Sequence, residues 1–150
     1  MKNQKYQQLV DLVVFALLGV IMFISKYITD ALPNIHFIGM LTMTYTITYR
    51  KKALVPIYVF VLLIGLFNGF GLWWIPYLYI WAILWAVTML LPKKMNMKIA
   101  VPVYAVVCAL HGLCYGILYA PAQALMYGLD LKGMIAWIGA GIYFDILHGI

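Results

Sequence analysis

Residues 12–24 read LVVFALLGVIMFI and residues 55–66 read VPIYVFVLLIGL. Neither run alternates apolar with polar residues, so the period-two strands of a transmembrane β-barrel do not fit. Both predict helices surrounded by lipid. The rest of the chain agrees with them. Of 150 residues, 67% are hydrophobic and 9% are charged, where a soluble domain has roughly 45–50% and roughly 25%. A soluble fold of this size needs far more polar surface. The composition excludes a soluble enzyme, a disordered chain and a collagen-like fibre.

A membrane-crossing helix takes about 20 residues, so the chain holds about six. It predicts an all-α integral membrane protein, a single domain over 1–150 with no room for a separate soluble one. The spans are read at about Leu9 to Ile28, Ile35 to Tyr49, Ala53 to Leu72, a fourth ending near Leu91, Ile99 to Tyr119, and Gly133 to Ile150. Lys2 and Lys5 give the first span the start of a signal peptide, but it lacks a small-x-small cleavage site and contains Asp11. A retained helix is expected. The second span carries Thr42, Thr44, Thr46 and Thr48, which predicts packing inside the bundle rather than against lipid. Between the fifth and sixth spans, residues 120–132 form a polar interval with Pro121, Gln123 and Asp130. At 1.5 Å per residue the sixth span reaches only about 27 Å. Either the last helix is minimal or the chain stops before the helix does, and the second is the reading favoured here.

Loop charges orient the bundle. With the N-terminus inside, the inner segments hold Lys2, Lys5, Arg50, Lys51, Lys52, Lys93, Lys94 and Lys98, eight of the ten basic residues. The outer segments hold Lys26 and Lys132. The positive-inside rule places the N-terminus in the cytoplasm of a multi-pass plasma-membrane protein. The net charge of +6 lies in short clusters between apolar runs, a pattern of membrane orientation and not of a nucleic-acid surface. Cys108 and Cys114, six apart in one run, predict neither a disulfide nor a metal site.

Chemistry is sparse. The four acids are Asp11, Asp30, Asp130 and Asp145, with no two at helix-neighbour spacing. No HExxH, GxSxG or phosphate-cradling glycine loop is present. No catalytic residue, cofactor or metal is expected, and the chain is read as a non-enzyme. The alternative is a membrane metalloenzyme in which His36, His111, Asp145 and His148 converge in space. Asp145 and His148, three apart, share a helix face and are costly in a membrane without a partner or a task. They read either as a substrate contact or proton relay, or as a mutually satisfied structural pair. His111 with Tyr115 one turn on has the same two readings.

The outer run Asn68-Gly69-Phe70-Gly71-Leu72-Trp73-Trp74-Ile75-Pro76-Tyr77 is the densest aromatic feature. Flat rings with polar edges suit stacking on planar heterocycles. Asn34 and His36 on the preceding outer loop and Gln123 on the following one add polar groups, as a small-molecule pocket requires. The candidate site therefore comprises Asn34, His36, Asn68, Trp73, Trp74, Tyr77, His111, Tyr115, Gln123, Asp145 and His148. Gly65-x-x-x-Gly69 and Gly112-x-x-x-Gly116 predict close helix packing. Ala16 and Gly19 give the first span a small-residue face for a partner helix or an internal neighbour.

Four segments carry a resemblance. They are Leu32-Pro33-Asn34-Ile35-His36; Gly69 through Pro76; His111-Gly112-Leu113 followed by Ala120-Pro121-Ala122-Gln123-Ala124; and Ala140-Gly141-Ile142-Tyr143-Phe144-Asp145-Ile146-Leu147-His148-Gly149. Through them the chain resembles the substrate-binding S component of an energy-coupling factor (ECF) vitamin transporter. The resemblance covers nearly the whole chain and is diffuse. It implies a six-transmembrane-helix bundle with both termini cytoplasmic, and one vitamin or related micronutrient in an outward-facing pocket of the later helices and outer loops. It also implies partners: a transmembrane coupling protein and two cytoplasmic ATPases, the S component itself having no ATPase and toppling to carry its ligand inward. The family commonly docks through an Ala-x-x-x-Ala face of the first helix, whereas here Val20 follows Ala16 at that spacing, leaving Ala16 and Gly19. The family's sixth helix continues past the position of His148. A third function class, an assembly or regulatory subunit that binds only another membrane protein, stays open beside capture and metal chemistry.

Overall fold

A computed structural model describes residues 2–31 and 36–149. The elements are α1 (Lys2–Ile28), α2 (Ile38–Tyr49), a 3-10 turn (Arg50–Ala53), α3 (Leu54–Asn68), a second 3-10 turn (Leu72–Trp74), α4 (Tyr77–Leu90), α5 (Met97–Leu113), α6 (Tyr115–Tyr127) and α7 (Leu131–Gly149). The described residues contain no strand. The expected count of six helices is not matched, for two physical reasons. Cys114 leaves helical geometry and divides the fifth span into α5 and α6. The polar interval then stays helical as far as Tyr127, because Ala, Gln, Leu and Met are strong helix formers and Pro121 is accommodated within the helix. The stop is Gly128, whose φ of 64° supplies the left-handed cap.

Four segments are long and apolar enough to cross a membrane: Asn3–Ile28, Ile38–Asn68, Leu72–Leu90 and Met97–Tyr127. Within the second of these the chain reverses at Arg50–Ala53. Tyr49 packs on Phe15 with ring centroids 5.2 Å apart and the Tyr45 hydroxyl donates to the Leu18 carbonyl at 3.3 Å, so α2 runs antiparallel to α1. The Lys52–Asp11 ion pair at 2.6 Å and the Tyr27–Asn68 hydrogen bond at 2.7 Å make α3 parallel to it. Arg50 takes the tight corner with φ 54°, an unusual conformation for a side-chain-bearing residue. It is held by its guanidinium donating to the Met89 carbonyl (2.8 Å) and by the Trp85 indole donating to its own carbonyl (3.1 Å). Asp11 is thereby accounted for as the partner of Lys52.

The large buried side chains lie on the first four helices: Met22, Ile38, Ile57, Phe60, Ile64 and Trp81. Thr42 and Thr46, one turn apart on α2, are buried with them, while Thr44 and Thr48 face outward. The outward pair satisfy their hydroxyls on the carbonyls of Met40 and Thr44, each at 2.8 Å. Among the described residues α5, α6 and α7 bury mainly small ones, among them Ala100, Gly112, Gly116, Ala120 and Ala122. Small residues bring helix backbones close but fill little volume. Space is left along the seam between the two halves.

Glycines set two of those close approaches. A Cβ on Gly19 would fall 2.9 Å from the Pro56 carbonyl oxygen of α3, so Gly19 is occupied by an internal neighbour, whereas Ala16 is exposed. Gly112 and Gly116 face His148 and Asp145 of α7, which makes their spacing a helix-packing device as expected. The Gly65–Gly69 pair differs. Gly65 lies under the rings of Phe70 and Trp74, and Gly69, at φ 85°, ends α3.

Candidate functional site

A cavity of about 510 Å³ opens on the seam, walled by the segment entering α2, the middle of α4, α5 with the start of α6, and the end of α7. Its size falls within the roughly 300–1,000 Å³ of small-molecule sites. The deepest wall is Trp81, only 2% exposed. Its ring sits 5.7 Å from those of His36 and His111 and 6.1 Å from that of Tyr115. Tyr77, one turn before it on α4, packs 6.3 Å behind it. The Tyr115 ring stacks on His148 at 4.4 Å with planes 22° apart. Aromatic residues thus enclose the space on several sides.

The polar groups are imidazoles. His111 Nε2 lies 3.1 Å from the Ile80 carbonyl. A carbonyl only accepts, so this nitrogen carries the hydrogen and Nδ1 is left as an acceptor. His36 Nε2 meets His148 Nε2 at 3.0 Å, which joins residues 112 apart across the mouth of the cavity. One of these nitrogens donates and the other accepts. Their Nδ1 atoms consequently have opposite characters, one an acceptor and one a donor. His36 Nδ1 and Trp81 Nε1 are buried without a hydrogen-bond partner among the described residues, a state that ordinarily has an explanation in a functional site.

Asp145 faces elsewhere. Its carboxylate accepts from the Gly116 amide at 3.0 Å and is 7% exposed. The break at Cys114 makes Gly116 part of the first turn of α6, where backbone N–H groups lack intrahelical acceptors. Asp145 supplies one from α7, and a negative charge there also meets the positive end of the helix dipole. A Cβ on Gly116 would fall 3.1 Å from the carboxylate carbon, so glycine is what lets the two helices approach. Asp145 and His148 share a face of α7 but have different partners.

The cavity therefore gathers His36, His111, Tyr115 and His148, with Tyr77 behind Trp81. It does not gather the remaining candidates among the described residues. Trp74 donates its indole N–H to the Val61 carbonyl at 2.8 Å, and the Trp73 carbonyl accepts from the Tyr119 hydroxyl at 3.0 Å. Both tryptophans tie the 3-10 turn to the bundle. Asn68 accepts from Tyr27 between α1 and α3, and Gln123 lies on α6 outside the lining. Asn34 lies outside the described residues. Sequence reasoning missed Trp81, Met40 and Cys108, all on the wall. The stripe Tyr77, Trp81, Trp85, every fourth residue along α4, was the available signal. Among the described residues no group of three or more His, Cys, Asp or Glu side chains is placed to hold a metal ion.

No family model matches the chain, and it matches neither a curated protein nor a solved structure.

Proposed function

We propose that the chain is a membrane-embedded binding subunit that captures a small vitamin-like solute for an importer of the ECF type. The observation that carries this reading is the cavity of about 510 Å³ with ring-bearing walls and few polar groups, the composition of a site for a small planar molecule. Counting α5 and α6 as one kinked span makes six crossings. The clusters Arg50–Lys52 and Lys93–Lys98 then lie in the cytoplasm with the N-terminus, and the Trp73–Trp74 turn lies outside. The transmembrane coupling protein and the two cytoplasmic ATPases of such an importer would provide the energy. Ala16, exposed on α1, belongs to the face that would dock on the coupling protein.

Calorimetry on the full chain in lipid nanodiscs, titrated with the water-soluble vitamins one by one, tests the reading. One of them is expected to bind with a Kd of about 1 μM or tighter. A flat trace with all of them removes the proposal.

A further inference from the structure

We propose that the cavity takes an uncharged, flat heteroaromatic solute whose ring edge carries both a hydrogen-bond donor and an acceptor. The inference rests on the capture function proposed above and narrows it to a ligand class. Three observations lead there. First, no Asp, Glu, Lys or Arg is among the described residues of the wall. Asp145, one turn before His148 on α7, is already engaged with the Gly116 amide. Lys26, whose charge reaches His36 and His148, is itself paired with Asp30 at 3.0 Å, so a ligand charge in this space would meet no free countercharge, and an unpaired charge there is costly.

Second, the wall is neutral in its own chemistry. The His36–His148 contact at 3.0 Å requires at least one unprotonated Nε2, and a proton added to the pair would itself be an uncompensated buried charge. The wall cannot offer a permanent cation to a carboxylate or a phosphate. What it offers is a set of short-range directional groups. The Nδ1 atoms of the histidine pair are one donor and one acceptor, His111 Nδ1 is an acceptor, and the Trp81 N–H is an unused donor; His36 Nδ1 and the Trp81 N–H are buried, so a solute meets them only as their rings turn toward it. A lactam or amidine-like edge, with N–H beside C=O or ring nitrogen, is complementary to that set. An aliphatic solute is not.

Third, the walls are flat. Trp81, His111, Tyr115 and His148 form one contiguous patch of rings on the cavity wall, Trp81 lying 5.7 Å from His111 and 6.1 Å from Tyr115, and Tyr115 4.4 Å from His148. A planar solute laid against such a patch gains the offset-stacked or edge-to-face contacts that rings prefer. A bulky saturated one loses them.

Pairs in which one member carries an added negative group test this class. The full chain in nanodiscs is titrated calorimetrically with nicotinamide against nicotinate, pyridoxine against pyridoxine 5′-phosphate, and riboflavin against its 5′-phosphate. In at least one pair the neutral member is expected to bind, about 100-fold tighter than its charged counterpart. A charged member that binds as tightly as its neutral counterpart overturns the inference. So does selective binding of thiamine, biotin or pantothenate, which are charged, and in both cases the capture function itself stands. Binding by none of these compounds overturns the ligand class, and the capture function falls with it when the remaining water-soluble vitamins also give a flat trace.

Discussion

Trp81→Ala is expected to lower the stability of the bundle by about 3–5 kcal/mol and to abolish solute binding. Trp81 is the largest fully buried side chain, and its ring touches both halves of the fold. Phe60 and Tyr77 lie 6.3 Å from it on the close-packed side, and His36, His111 and Tyr115 lie 5.7 to 6.1 Å from it on the cavity side. In a bilayer, lipid would provide little hydrophobic drive between helices, and the loss would fall mainly on van der Waals packing. Alanine would merge the vacated volume with a cavity already present, and nothing nearby is placed to refill it. Thermal unfolding in mild detergent measures the effect against Trp81→Phe, which keeps a ring and is expected to retain most of the stability. Equal melting of Trp81→Ala and the parent protein would show that the ring does not bridge the two halves.

Gly112→Val is expected to push α7 off α5 and to remove binding by a different route. A Cβ at this position would lie 2.6 Å from the carbonyl carbon of His148 and 2.9 Å from the amide of Gly149. These are backbone atoms, so no side-chain rotation relieves the clash and the helix end must shift. The His36–His148 hydrogen bond goes with it. Overpacking of this kind costs about 1–3 kcal/mol. Gly139→Val, on the same α7 with open space around it, is the matched control and is expected to change stability by less than about 0.5 kcal/mol. Indistinguishable melting and binding for the two variants would contradict the close approach of α5 and α7.

The apolar spans were legible because lipid selects for long uninterrupted runs such as residues 12–24, and the signal needs no tertiary context. Helix breaks were not. Cys114 carries no mark in the sequence, and the segment with Pro121 looks like a loop until its alanines and leucine are weighed as helix formers. Candidate residues near in sequence were readable from spacing, as with His111 and Tyr115 on either side of the Cys114 break. The meeting of His36 with His148 was not, since it depends on how far α7 slides along α5 on the Gly112–Gly116 face. The tryptophans of the Leu72–Trp74 turn drew attention by density. Their indole and carbonyl groups are engaged in fixing that turn, while Trp81, embedded in an ordinary apolar helix, stands at the cavity. Density is legible in the sequence, whereas burial among imidazoles is seen only in the fold.

Cys108 offers the most direct test of solute capture between these helices, since its side chain lies on the cavity wall. Cys114 is exposed and is removed as Cys114→Ser, leaving a single thiol. Methanethiosulfonate labelling of that thiol is then followed with and without a saturating concentration of the tightest-binding vitamin. Binding in the cavity predicts that the solute slows labelling at least about tenfold. Unchanged labelling at full occupancy would place the solute elsewhere and contradict the account.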